Sequence, residues 1–392
     1  MKTIQKQVKE KLKMIKLGID NIDKELKYFE GKRVGLITNP TGINSDYKST
    51  IDVLNEKVNL VCLFSPEHGV RGHLQAGVRF DTYTDEESNT IVYSLYTKDK
   101  KPTKEMLDTI DVLCIDIQDV GSRFYTYIYT MAYAMMACKE HDKEFVVFDR
   151  PNPINGKDFE GNILDLNYRS FVGYYSILQR HGMTIGELAE MFNQEFGIGC
   201  KLKVVKMEGW DRTKYWDETE LMWVVPSPNI PTVESTVLYN ATCIFEGTNI
   251  SEGRGTTLPF ELVGAPFINP KDLEEKLNSL NLPGVYFRRH YFTPTFSKFK
   301  DELCGGVQVH VLDRKTFLPV HTGWAMLDVI RNMYPNDFKV NAPYKEGANC
   351  MLQFNTGCNY IMEQKYTLKE QFEILEKETK EFNVTREKYL LY

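Results

Sequence analysis

Short apolar runs recur through the first half of the chain. Each closes on polar residues and is followed by a segment with helical spacing. The runs are Arg33–Thr38 (RVGLIT), 58–64 (VNLVCLF), 90–95, 112–117 (VLCIDI) and Glu144–Phe148 (EFVVF). Continuous apolar strands alternating with helices predict a parallel sheet covered on both faces. Residues 46–55 and 103–110 read as helices between them. Phe124, Ile128, Met131 and Met135 recur at helical spacing, with Ser122 placed to cap that helix. A further capped helix is predicted over 184–196, opening TIGELAEMF, with a strand at 201–207.

Pro226, Pro228 and Pro231 fall within six residues, which excludes helix interior and central strand there. A domain boundary is expected at this cluster, giving a first domain over 17–231 and a second over 232–392. Beyond it the pattern changes. Val307, Val309 and Val311 alternate with Gln308 and His310, as in a strand with one wet face. Helices are expected at 272–280, 319–334 and 368–382. The fold class is therefore α/β, a parallel-sheet domain followed by a smaller α+β domain.

Residues 1–16 carry six lysines and one glutamate, and Ile4, Val8, Leu12 and Ile15 are helically spaced, so a lead-in helix is expected. No continuous apolar stretch follows that would serve as a secretion signal, and a cytoplasmic location is the expectation. The 392 residues contain 48 Lys plus Arg and 54 Asp plus Glu, a formal charge of −6. That balance argues against a dedicated nucleic-acid binder. No run of 18 apolar residues exists, so no membrane span is expected. The eight cysteines form no C-x-x-C pair and read as free buried thiols.

Ligands of an open parallel sheet sit outside the carboxyl ends of its strands. Asn39-Pro40-Thr41-Gly42 follows the first run. Ser65-Pro66-Glu67-His68-Gly69-Val70-Arg71 follows the second, Gln118-Asp119-Val120-Gly121-Ser122-Arg123 the fourth, and Asp149-Arg150-Pro151-Asn152 the fifth. These polar loops should converge on one rim. No glycine-rich phosphate cradle follows the first strand, and no P-loop or nucleophile elbow occurs, so no nucleotide cofactor is expected. His68 and His73 flank no H-E-x-x-H motif. A metal-dependent hydrolase built on them and Asp119 stays as an alternative, with no metal as the expectation. Asp116 lies within a strand, where a structural hydrogen-bonding role is expected.

Carboxylate chemistry remains. Glu67, after an apolar strand, can have its pKa raised by desolvation and serve as an acid near neutrality; the plainer alternative is an ion pair with Arg71. A second constellation runs from Phe245 to Thr257, with Glu246, Asn249, Glu252 and Arg254 among glycines that let a backbone approach a ligand. A Glu252–Arg254 ion pair in a solvated loop is its plainer reading. Two carboxyls flanking a glycosidic bond stand roughly 5 Å apart for retention and ~6.5–9.5 Å for inversion. Tyr125, Tyr127 and Trp223 are available for stacking on sugar faces.

Read together, SPEHGVRG (65–72), DIQDVGSRFYTY (116–127), DRPNP (149–153), PSPNIPT (226–232), FEGTNISEGRGTTLPFELVGAP (245–266) and KYLLY (388–392) resemble one family. It is the exo-acting β-N-acetylmuramidases of the NamZ type, and the resemblance covers nearly the whole chain. It implies a Rossmann-like first domain, a smaller second domain completing the cleft, and release of N-acetylmuramic acid from the non-reducing end of peptidoglycan fragments without metal or nucleotide. Glu67 takes the place of the family's PEHG glutamate, the expected general acid. Glu246 and Glu252 take the places of its EGTN-SEGRG acids; either could be the partner, or the substrate's own 2-acetamido group could assist instead. A non-catalytic muropeptide-binding protein is the rival reading. Muramic acid carries a lactyl carboxylate, and selecting it requires a cation or a helix N-terminus. Arg254, Arg123 and Arg71 are the candidates, with Arg254 preferred. Asn39, His68, Gln118, Asp119, Tyr125, Arg150, Asn152 and Asn249 complete the expected substrate contacts. Residues 351–366 depart from the regular loop and helix expected there.

Overall fold

The computed structural model describes residues 15–66, 69–71, 82–95 and 100–392. The lead-in helix over 1–16, together with Glu67, His68 and His73, falls wholly or almost wholly outside them; of the lead-in only Ile15 and Lys16 are described.

The apolar runs form one seven-stranded sheet. Its strands are β1 (Arg33–Thr38), β2 (Asn59–Ser65), β3 (Tyr83–Asp85), β4 (Thr90–Ser94), β5 (Val112–Asp116), β6 (Glu144–Phe148) and, after a separate hairpin, β9 (Lys201–Val205). The order is β3-β4-β2-β1-β5-β6-β9. All neighbours are parallel except the short β3, which is antiparallel on the β4 edge. The chain therefore leaves β1 first toward β2 and β4, then returns to its other side with β5. That reversal between β1 and β5 is where an α/β sheet opens a ligand crevice at its carboxyl edge.

Both faces are covered, which is why the strands read as unbroken apolar runs. Helix α1 (Thr50–Lys57) contributes Ile51, Val53 and Leu54 to one face. Helices α2 (Tyr127–Glu140) and α3 (Ile185–Gln194) cover the other. The cap read from the sequence at α3 forms, as a full capping box: Glu187 N–H donates to Thr184 Oγ1 at 3.1 Å and Thr184 N–H to the Glu187 carboxylate at 3.0 Å. The cap expected of Ser122 does not form. Helix α2 begins five residues later, after Thr126, and Ser122 instead makes an isolated backbone bridge with Arg180.

That bridge belongs to a hairpin the periodicity did not reveal, β7 (Glu160–Ile163) and β8 (Leu178–Arg180). The hairpin fastens the smaller domain. Glu160 accepts the Val320 and His321 N–H groups that open helix α6 (Pro319–Met333), a carboxylate on an otherwise uncapped helix N-terminus. In that domain α4 (Val233–Thr242), α5 (Pro270–Asn278) and α6 surround an antiparallel sheet, β10 (Leu262–Ala265), β12 (Cys304–Val311) and β11 (Val285–Phe292). Helix α7 (Met351–Thr356) ends at Gly357, and α8 (Leu368–Arg386) returns to the first domain. All eight cysteines are buried and free.

The KYLLY segment is held by polar contacts with the large sheet's margin. Tyr392 OH donates to Asp149 Oδ2 at 2.7 Å and accepts from Met207 N–H at 2.8 Å, while its ring meets Trp210 edge-on. Tyr392→Phe leaves both partners short of a bond and is expected to cost about 1–3 kcal/mol in urea denaturation. Tyr389 bonds the exposed Glu195, and Tyr389→Phe should lower stability by less than half as much.

Candidate active site

The carboxyl edge of the sheet holds the loops as the strand order requires. Asn39 follows β1, Gln118 and Asp119 follow β5, and Arg150 and Asn152 follow β6. Their roles divide. Arg150 is buried and grips Asp116, with Nη2 3.1 Å from Asp116 Oδ2; it also donates to the Ile43 carbonyl. Thr50 Oγ1 bonds the same carboxylate, so Asp116 has the structural role read from its strand position. Asn152 spends its amide locally, donating to Met183 O at 3.0 Å and accepting from Ile154 N–H at 3.1 Å.

Among the described residues, Asn39, Gln118 and Asp119 keep polar capacity in reserve. Asn39 Oδ1 accepts from Thr41, yet Asn39 Nδ2 is buried without a partner. Gln118 Nε2 donates to Asp119 O and Pro151 O, both at 2.8 Å, and leaves Gln118 Oε1 unpaired. Asp119 Oδ2 accepts from Gly121 N–H at 2.7 Å, and Asp119 Oδ1 is unpaired. A buried polar atom without a partner costs about 1–3 kcal/mol. Three such atoms at the sheet's switch point suit a polyhydroxylated ligand. The sequence reading missed His181, whose Nε2 lies 3.3 Å from Asp119 Oδ2 and whose Nδ1 accepts from Met183 N–H. Nothing local marks it, because the hairpin brings it in.

Arg71 reaches the β3 edge of the sheet. It binds Asp85 through two bonds of 3.0 and 2.7 Å, and Glu87 at 3.1 Å. The guanidinium holds the Asp85 carboxyl down at about 2. Arg123 has no exposed surface at all. It donates to the carbonyls of Asn162, Ile177, Asn355 and Thr356 at 2.7–3.3 Å. It locks α7 to the hairpin from beneath.

Arg254 differs. It borders a cavity of about 220 Å³ with Tyr125, Tyr127, Tyr239 and Glu246. Ser227, Asn229 and Asn355 add polar groups, so the proline cluster and the atypical 351–366 segment both reach this wall. Tyr125 stands edge-on to Tyr127 and Tyr239, with centroids 4.9 and 5.9 Å apart. Trp223 packs on Trp216 and is not among the lining residues. The Arg254 guanidinium pairs with Glu246 through Nη2 and with Glu252 through Nε at 3.3 Å, over the Phe260 ring. Glu252 is 2 % exposed and also held by Lys298 at 2.9 Å. Lys298 lies 46 residues away in sequence and carried no local signal. Burial and the Glu252 charge push the Glu246 carboxyl up against the pull of Arg254.

The glycines of this segment serve the protein backbone. Gly253 and Gly255 have φ of +80° and +84°, and a Cβ on Gly255 would stand 2.3 Å from the Phe296 carbonyl oxygen. They set the turn that aims Arg254. Asn249 brackets the loop, accepting from Lys339 N–H and donating to Asp337 O, both at 2.8 Å. Among the described residues no group of three His, Cys, Asp or Glu side chains is placed to hold a metal ion, and no helix is long and apolar enough to cross a membrane.

Comparison with known proteins decides the family. The N-terminal model of exo-beta-N-acetylmuramidase NamZ matches residues 34–234, and its C-terminal model matches 237–392. The chain belongs to the exo-β-N-acetylmuramidase NamZ family. With it the chain is placed among the glycosidases that act on peptidoglycan. The peptidoglycan beta-N-acetylmuramidase NamZ of Bacillus subtilis (strain 168) is 53 % identical over 381 residues, 96 % of this chain and 91 % of that one. Among solved structures, a DUF1343 family protein from Bacteroides fragilis NCTC 9343 superposes with a TM-score of 0.87 at 40 % identity, covering 96 % of this chain and 99 % of its own. A second from the same strain gives 0.76 at 30 %, with the same coverage.

Proposed function

We propose that this chain releases N-acetylmuramic acid from the non-reducing end of peptidoglycan fragments by carboxylate acid/base catalysis. Glu67 is the general acid in this reading, two residues past the last residue of β2. The paired, buried state of Glu252, between Arg254 and Lys298, favours a fixed electrostatic role for it. Glu246 is engaged by Arg254, and the substrate's own 2-acetamido group is the assistant that leaves both carboxylates in place. Asn39, Gln118 and Asp119 offer their unpaired atoms to sugar hydroxyls or the acetamido group.

The observation that carries the substrate assignment is Arg254 at the wall of a tyrosine-lined cavity. An aromatic wall suits the apolar face of a pyranose, and a guanidinium suits the lactyl carboxylate that distinguishes muramic acid from glucosamine. The test is turnover of a chromogenic β-N-acetylmuramide beside the matching β-glucosaminide. Release of aglycone from the muramide alone supports the reading. Binding without release from either points to a sugar-binding protein. Undiminished activity in excess chelator dismisses metal-dependent hydrolysis.

Arg254→Ala is expected to weaken muramide binding by about tenfold to a hundredfold, the worth of a charge-assisted hydrogen bond. Binding of N-acetylglucosamine, which has no lactyl group, should change less than threefold. Equal losses on both ligands would place the selectivity elsewhere.

A further inference from the structure

Arg254 is the cation lining this cavity among the described residues, yet two of the protein's own carboxylates engage it, and those two are not equivalent. Glu252 is almost wholly buried and shared with Lys298, so its charge is compensated whatever Arg254 does. Glu246 keeps about a quarter of its side chain exposed, lines the cavity itself, and has Arg254 as its only ion-pair partner among the described residues. The backbone of Glu246 is fixed independently, its carbonyl accepting from Asn341 Nδ2 at 3.0 Å. Its carboxylate can therefore move without unravelling the turn. The four charges of Glu246, Glu252, Arg254 and Lys298 sum to zero, and an arriving carboxylate makes the sum −1.

We infer that Glu246 is a displaceable counter-ion that reserves Arg254 for the substrate's carboxylate, and that it takes up one proton from solvent when that carboxylate binds. The inference rests on the muramidase reading and assigns Glu246 to selectivity. The Arg254–Glu246 pair keeps a largely desolvated guanidinium compensated. A neutral amino sugar offers nothing to replace Glu246, so it must break the pair or bind without Arg254. A lactyl carboxylate takes over the Nη2 edge. Glu246, left against Glu252 and the ligand's own charge, is then neutralised by a proton added to one carboxyl oxygen.

The groups facing Glu246 fit this account. Arg254 and Lys298 favour its charged form, and Glu252 and burial oppose it. From helix α4 and the turn after it come Tyr239 and Cys243, both raised by burial and uncharged at neutral pH. Losing the contact with Arg254 removes the strongest interaction that favours ionisation, so the Glu246 carboxyl titrates higher in the complex than in the free protein. Affinity for the acidic sugar is then highest below the free-protein value. It falls as pH rises, by up to tenfold per unit, and levels off above the value in the complex.

The experiment is calorimetric titration of the full chain with N-acetylmuramic acid at intervals from pH 5 to 9, in two buffers of different ionisation enthalpy at each pH, with N-acetylglucosamine as the second ligand. The expected result is net proton uptake on binding muramic acid, passing through a maximum within that range, and none for N-acetylglucosamine at any pH. Glu246→Gln should bind muramic acid at least as tightly as the parent at pH 8, without proton uptake and without the pH slope. No uptake by the parent protein, or equal uptake by Glu246→Gln, overturns the inference even where muramide hydrolysis is intact. A hundredfold loss of kcat at unchanged KM in Glu246→Gln overturns it too, because that assigns the residue to proton transfer. If the variant fails to fold, the buffer comparison on the parent protein decides alone. Absence of muramide hydrolysis by the parent protein brings down the underlying reading itself, a different failure.

Discussion

Glu67→Gln is expected to lower kcat on a muramyl disaccharide by roughly 10²–10⁴-fold, the span attributed to a positioned general acid, while ligand affinity stays within a few-fold. Glutamine keeps the shape and one hydrogen-bonding oxygen but has no proton to give. The sugar alkoxide leaving from a disaccharide is strongly basic and needs that proton in the transition state. A nitrophenolate aglycone leaves without it. The loss should therefore be much smaller on a 4-nitrophenyl muramide than on the disaccharide, and the ratio of the two losses is the measurement. Equal losses on both would identify Glu67 as a nucleophile or a binding group. Wild-type rates on both would remove it from the chemistry. The placement rests on sequence and on strand order: Ser65 closes β2, Pro66 follows, and β2 lies beside β1, whose loop presents the unpaired Asn39 amide.

The sheet was legible because burial on both faces writes itself as unbroken apolar runs. β1 and β6 coincide with RVGLIT and EFVVF. The short β3 on the edge and the β7–β8 hairpin were not, since three- and four-residue strands with polar members leave no periodicity to count. The site was legible only where a residue's partners are near it in sequence. The pairing of Glu252 with Arg254 is local and was foreseen as one alternative. Arg123 looked like an anion-binding residue beside a glycine and a serine. Its fate is set by carbonyls 39, 54, 232 and 233 residues away. Arg71 likewise binds Asp85, on an edge strand that its own neighbourhood did not announce. Lys298 and His181 are ordinary in their own neighbourhoods and acquire meaning only through Glu252 and Asp119. Local sequence announces elements; the destination of a long charged side chain depends on which segments the topology sets opposite it.

The rim's rigidity has its own test at Arg150. This side chain is 2 % exposed and its partner Asp116 is fully buried. Together with Thr50 and the Ile43 carbonyl they tie the ends of β5 and β6 to the start of α1 and to the loop after β1. Arg150→Met keeps most of the volume but strands a buried carboxylate with one hydroxyl for company. Breaking such a pair by removing one partner costs about 3–5 kcal/mol. With a urea dependence of about 3 kcal/mol per molar for a chain of this size, the midpoint should fall by about 1 M or more. Adding Asp116→Leu removes the stranded charge and should recover a large part of the loss, since an apolar pair can replace a buried ion pair at little cost. Recovery of stability without recovery of kcat is the informative combination. It would mean that the pair's second task is to hold the loops bearing Asn39 and Gln118 in register, because an apolar replacement packs the same space but does not fix the Ile43 carbonyl. A midpoint shift below 0.3 M in Arg150→Met would show that solvent reaches Asp116, and that the two strand ends are held by the sheet alone.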